Sequence, residues 1–531
     1  MDIRQGMWAG VLGALAATAV GCGSADENSC ATWVERLKTA GAMDRSLDRI
    51  AELKCVEALP AMRDLFAQGQ LQDRILQTAK QIGKGDDPAT VEILRAALKT
   101  NKLANMAAGM AQDWKVAAVL PELTAIMTDP NLVSLREAAF PALLALSPDP
   151  KALEDLLIGV AAMDANAQSV SSFKLAAREL GNIGSTKALP HLLKLAYFKN
   201  NKGEEVFQAA RRALAQVGDA TLSAAVVEVA AGKHKEIDAF TRALNVPDWQ
   251  GTLGAKTVQL LIDRLEPSVV PALLEHLSRP LLPPQTLSET AKPAWQAEQR
   301  NRLQVALFGL GHTAGDAAIP ELLKVANDAQ ADFHNQRSKA LLALALLGSE
   351  AAQDAMFAAI QAEPEPMIQA FLLQHVARGV DDRRLKQLDA LLGSGNAKGI
   401  KALAQSTELA DALKDEAFVG FLAVVRTCKA DKACVIGKLK SENPHEQVKA
   451  IHLLASGRFG DGDDVREALF SAFKAATPKD VDRRRFSLMG LTRLGKKADG
   501  ERLVSLSEGL PEEDVYWKEE LFAFGKAMSR R

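Results

Sequence analysis

Residues Leu175–Ala196 read LAARELGNIGSTKALPHLLKLA. Ala and Leu dominate the first half, Gly184 ends it, and Ser185, Thr186 and Lys187 follow. Pro190 then opens a second segment in which Leu189, Leu192, Leu193 and Ala196 recur at helical spacing. Gly can take the left-handed backbone that terminates a helix. Pro is tolerated in a first helical turn, where no backbone donor is needed. Apolar residues at i, i+3 and i+4 make a stripe that must be buried. The stretch is therefore predicted to be a helix–turn–helix hairpin.

The same two signatures recur along the chain. The apolar-apolar-Pro-x-apolar entry appears around Pro60, Pro121, Pro190, Pro271 and Pro320. The Ala/Leu-rich segment ending in apolar-Gly appears at Ala177–Gly184, Arg211–Gly218, Ala306–Gly311, Ala340–Gly348 and Leu491–Gly495. Gly184 to Gly218 spans 34 residues, Gly311 to Gly348 spans 37 and Gly460 to Gly495 spans 35. A period of this size marks a stacked array of hairpins. Leu175–Ala196 resembles a HEAT or bilin-lyase-type HEAT-like repeat. The resemblance covers most of residues 50–510, most clearly near 175–230 and 300–360 and faintly near 235–265 and 380–440. It implies an all-α fold, a right-handed α-α superhelix of about 12–15 hairpins, with a concave surface on which protein partners dock.

Composition agrees with helices packed through small side chains. The chain is 48% hydrophobic but only 5% aromatic, with Tyr197 and Tyr516 as its two tyrosines. At 531 residues it exceeds the ~250–300 residues at which one core stops growing. The net charge of −2 supplies no excess of Lys and Arg for phosphate neutralisation, so nucleic acid is not an expected partner. Arg483, Arg484 and Arg485 point in different directions on a helix and read as solvated charges.

The N-terminus, MDIRQGMWAGVLGALAATAVGC, carries no charge from Gly6 to Gly21. That stretch is short for a membrane span and suits a signal-peptide core. Ala19-Val20-Gly21-Cys22 resembles a bacterial lipobox, which implies a signal peptide over 1–21, lipid on Cys22 and a flexible tether over 22–29. Ala19 stands where the motif usually has leucine, and cleavage after Ala17-Thr18-Ala19 as an ordinary secreted protein is the rival reading. Gly23 rather than Asp after the cysteine favours the outer over the inner membrane. Without Cys22 four cysteines remain, and an even number in an exported chain suggests disulfides. Cys30–Cys55 and Cys428–Cys434 are the expected pairs, with free thiols as the alternative.

Two arrays are expected, at 30–277 and 301–510, separated by a Pro-rich insertion loop at 278–300 and followed by a capping helix at 511–531. The loop holds Pro280, Pro283, Pro284 and Pro293, which no continuous helix interior accepts. Trp295, Pro283 and Pro284 are its candidate binding residues, since long loops often carry function and Trp often anchors interfaces.

Chemistry-bearing motifs are scarce. The eight histidines form no H-E-x-x-H pair, and no G-x-S-x-G elbow occurs. Gly251–Thr257 lacks the spacing of a phosphate loop. An EF-hand begun at Asp461 would need Glu where Ala472 stands; the aspartates there and at Asp86-Asp87-Pro88 read as helix caps. No metal, cofactor or small-molecule substrate is expected. The chain reads as a non-catalytic scaffold or adaptor, lipid-anchored on the periplasmic side of a bacterial envelope. A HEAT-like enzyme accessory and a structural spacer are the other readings.

Overall fold

The computed structural model describes residues 26–39, 41–163, 169–200, 202–244, 249–278, 287–328, 336–363, 372, 375–393 and 415–531. Residues 1–22 with Cys22, and Pro283 and Pro284, lie outside them. Among the described residues the fold is all-α, and the β pairing present is an isolated bridge between Lys199 and Glu205.

The proline signature has a defined local form. A single 3₁₀ turn at Val56–Ala58, Ala117–Val119, Thr186–Ala188, Pro267–Val269 or Asp316–Ala318 leads into an α-helix beginning one residue before the proline. The proline thus occupies the first turn, where its missing N–H is not needed. The glycine signature divides. Gly83, Gly184 and Gly348 take the left-handed conformation after their helices. Gly218 and Gly495 are instead extended, and Gly311 lies inside the helix Lys292–Thr313. A Cβ on Gly311 would stand 2.5 Å from Cε of Met489, so this glycine permits close packing.

The chain forms two compact units, one ending at Pro148 and the other beginning at Asp149. In the first, helices Met43–Leu53, Gln72–Ile82, Ala104–Asp113 and Arg136–Leu146 form one layer. Helices Leu59–Ala67, Pro88–Leu98 and Leu120–Thr128 form the other. A Cys30–Cys55 disulfide joins the first helix to the turn after the second. Residues 27 and 28 are not a free tether: the Glu27 carbonyl accepts from Trp33 Nε1 at 2.8 Å and from Arg49 at 3.0 Å.

In the second unit, Val170–Asn182 packs on Phe207–Val217, and Trp249–Ile262, Lys292–Thr313 and Ser338–Leu347 succeed one another; Arg211 and Asp263 join these two runs into an inner layer. This layer is not left open as the sequence reading expects. Helix Val481–Leu494 packs on Lys292–Thr313, and the C-terminal helix Val515–Ser529 packs on Phe207–Val217. The covered faces are apolar or small, Gly311 against Met489 and Ala215 with Phe522 and Ala523, and an apolar helix face must be covered. The Lys497–Glu508 and Val515–Ser529 helices meet backbone to backbone, since a Cβ on Gly525 would lie 2.6 Å from the Gly500 carbonyl oxygen.

The expected loop at 278–300 is corrected over its second half. Residues 292–300 belong to the helix Lys292–Thr313, because Pro293 sits in its first turn and does not interrupt it. Trp295 is therefore a half-buried helical residue. The division of the chain at 148/149 also differs from the expected one at 278–300.

Candidate interaction sites

Two consecutive arginines show how one helix serves both interior and surface. In Phe207–Val217 each residue turns about 100° from the last, so Arg211 and Arg212 face different ways. Arg211 lies on the buried stripe with Ala210 and Leu214. Its Nε donates to Asp263 Oδ2 at 2.6 Å and its Nη2 to Asp263 Oδ1 at 2.7 Å and Glu520 Oε1 at 3.1 Å. Gln259 Nε2 donates to the same Glu520 oxygen at 3.0 Å. Burial alone would lower the Arg211 pKa, but Asp263 and Glu520 more than offset it and hold it above the ordinary value. Burial raises that of Glu520.

Beside this cluster Arg485 stacks over Phe308 at 3.8 Å and donates to the Tyr516 hydroxyl at 3.0 Å. His312 Nδ1 lies 2.6 Å from Thr492 Oγ1, and burial, with Arg485, Arg493 and Arg531 nearby, pushes its pKa down to about 3. The ring is thus neutral and serves as a hydrogen-bonding strut. These groups surround about 10 Å³ of free space, roughly one water molecule. They tie the C-terminal helices to the inner layer.

A second set of cations caps helix ends. Arg136 donates to the Ile126 and Asp129 carbonyls, Arg337 to Ala326 and Arg484 to Ala476. Arg493 donates to Leu346 and Leu347, Arg530 to Ala215 and Arg531 to Leu265. The Lys449 ammonium, fully buried, donates to Ala377, Arg378 and Val380. Carbonyls at helix C-termini lack intrahelical partners, and cations there satisfy both hydrogen bond and dipole. The reading of Arg483–Arg485 as solvated is corrected accordingly. Arg484 is buried and pairs with Asp514 at 3.1 Å, and Arg485 is half-buried. Arg136, Arg337 and Arg484 all fall at helix N-termini, against the dipole preference, and this was the available signal.

Other sequence candidates fall as follows. Cys428 and Cys434 form a disulfide across a short turn. Asp87 caps its helix, accepting from Ala89 N at 2.8 Å. At 461–464 the N-cap is Gly462, and Asp464 pairs with Lys432 at 2.6 Å instead. Gly251–Thr257 is helical, and Lys256 pairs with Glu205 at 3.2 Å.

Surface grooves open on the second unit, and two of them are lined by described residues of several helices. One, of about 500 Å³, has an apolar floor of Leu189, Pro190, Leu193, Leu222 and Ala225, with Glu228, Lys233 and Glu236 on its rim. The other, of about 360 Å³, lies where Val170–Asn182, Phe207–Val217 and the C-terminal helix meet. Lys174 and Arg178 form one wall and Gln208, Arg212 and Gln216 another, with Glu519 reaching in from the third helix. Arg212 pairs with Glu519 at 3.3 Å and lies over Phe522 at 3.8 Å. This second groove exists only because the C-terminal helix returns to the inner layer.

No family model matches the sequence, and no curated protein matches it. Among solved structures, the karyopherin Kap121p bound to the SUMO protease Ulp1p is similar at 12% identity and a TM-score of 0.25, over 94% of this chain and 60% of that one. An engineered protein is similar at 16% identity and a TM-score of 0.23, over 88% and 98% of the two chains. UNC-45 from Drosophila melanogaster is similar at 12% identity and a TM-score of 0.20, over 94% and 75%. The chain spans about three fifths of the karyopherin's length. At such TM-scores these likenesses carry no argument about function.

Proposed function

We propose that this chain is a non-catalytic scaffold that binds other proteins in surface grooves of its helical array, held by lipid on Cys22 at the periplasmic side of a bacterial envelope, outer membrane favoured. The observation that carries the binding part is the pair of open grooves on the second unit. Each is built from side chains of several helices and rimmed by charge, the layout of surfaces that dock polypeptide segments. The titratable groups displaced from their ordinary pKa values, Arg211, Glu520, His312 and Lys449, serve as internal struts in this reading. The anchoring part rests on the uncharged stretch Gly6–Gly21 and the lipobox-like Ala19–Cys22.

Two measurements test it. Mass spectrometry of the N-terminal peptide, with and without globomycin, should find a diacylglyceryl group on Cys22; an unmodified N-terminus at Val20 or Met1 refutes the anchor. Crosslinking in intact cells, followed by capture from detergent-solubilised envelopes, should recover a reproducible protein partner. Recovery of none refutes the scaffold. Stoichiometric metal or turnover in a broad activity screen would replace it with an enzyme.

A further inference from the structure

The groove between Val170–Asn182, Phe207–Val217 and the C-terminal helix carries an imbalance of charge. Lys174 and Arg178 are exposed, one helical turn apart, on the same wall. Neither has an ion-pair partner among the described residues. The two carboxylates of the groove are already engaged. Glu519 takes Arg212, and Glu205 lies 3.2 Å from Lys256 and 3.8 Å from Lys199. The groove lining thus sets Lys174, Arg178 and Arg212 against Glu205 and Glu519, and with both carboxylates engaged the charges of Lys174 and Arg178 are left unbalanced. A concave surface of one sign with low-dielectric walls concentrates ligands of the opposite sign. Phe207 and Ala209, both half-buried, add an apolar strip beside these cations.

We infer that this groove docks an acidic segment of a partner protein, with carboxylates on Lys174 and Arg178 and an apolar side chain on Phe207. This rests on the scaffold reading and names its site and partner chemistry. The geometry favours a polypeptide. The cations stand along a groove bounded by three helices rather than across a broad face, and the apolar strip gives a side chain a place that a bare polyanion would not use. Arg212 is held in position by Glu519 and Phe522 and so is pre-organised to receive a second carboxylate.

The test uses the full chain and fluorescence anisotropy of fluorescein-labelled octaglutamate, the same peptide with a central phenylalanine, and octalysine. The wild type should bind both acidic peptides, the phenylalanine peptide more tightly, with affinity falling as salt rises, and should not bind octalysine. The double reversal Lys174→Glu, Arg178→Glu should weaken binding on the order of tenfold or more. The reversal Lys99→Glu, Lys102→Glu, at exposed sites of the first unit and with the same change in net charge, should leave it intact. Both changes lie on the surface, so thermal melts should match wild type. The assignment is overturned if the wild type fails to bind octaglutamate, or if the groove reversal binds as tightly as the control. It is also overturned if phosphatidylglycerol vesicles, and not the peptides, bind in a manner the reversal abolishes. If the groove reversal still captures the wild-type partner from envelopes, this assignment fails and the scaffold stands; if the wild type captures nothing, the scaffold itself fails.

Discussion

The closure of the second unit can be broken at one atom group. Arg211, Asp263 and Glu520 are each nearly inaccessible to water, with side-chain exposures of 3%, 5% and 7%. Arg211→Met keeps the aliphatic stem and removes the guanidinium, leaving two carboxylates buried together. Breaking a buried pair from one side costs about 3–5 kcal/mol. Glu520→Gln, by contrast, leaves Arg211 bidentate on Asp263 and removes a carboxylate that burial already disfavours, so its cost is within about 1 kcal/mol. For a unit of this size the first change should lower Tm by about 4–8 °C and the second by no more than about 2 °C. The measurement is thermal unfolding followed by circular dichroism at 222 nm. The pH dependence fixes the sign. Without Arg211 the pKa of Glu520, already raised by burial, loses the charge that lowers it and rises further, so the folded state holds more protons than the unfolded state above pH ~4. Stability of Arg211→Met therefore falls as pH rises, and its deficit against wild type should be smaller at pH 5 than at pH 7.5. Equal costs for the two substitutions, or a deficit that does not change with pH, would refute the assignment of Arg211 as the charge that holds the C-terminal helix in place.

Three further outcomes follow from particular contacts. Gly525→Ala places a methyl 2.6 Å from the Gly500 carbonyl oxygen and should destabilise by about 1–3 kcal/mol; urea unfolding with an unchanged midpoint would contradict the close helix contact. Lys449 has its pKa lowered to about 7 by burial first, with Asp381 opposing and Arg378 adding to the shift. Its folded value lies below the unfolded one, so wild-type stability should rise with pH from about 7 towards 10.5. Melts of Lys449→Met across that window should lack this rise. Cys30→Ser, Cys55→Ser opens a link between residues 25 apart and should cost the first unit about 3 kcal/mol, read as earlier proteolysis of residues 26–148; unchanged protease sensitivity would count against the link.

The hairpins were legible because their signals are local. Pro60, Pro121, Pro190 and Pro320 mark first turns whatever surrounds them, and the Leu189–Ala196 stripe announces a buried face. Charges were misjudged for the opposite reason. Arg211 looks like any surface arginine until Asp263 and Glu520 arrive from 52 and 309 residues away. The groove at Lys174 and Arg178 was invisible in the same way, since one of its walls comes from the chain's last helix.

Periodicity and turn chemistry are properties of neighbouring residues, so the sequence alone determined the all-α class, the hairpin unit and the positions of its entry turns. What only the tertiary structure decided is that the second unit folds its final helices back onto its inner layer. That choice depends on fitting one helix surface to another, Gly311 against Met489 and Arg211 against Glu520. Such complementarity between distant segments has no period along the chain by which it could be read.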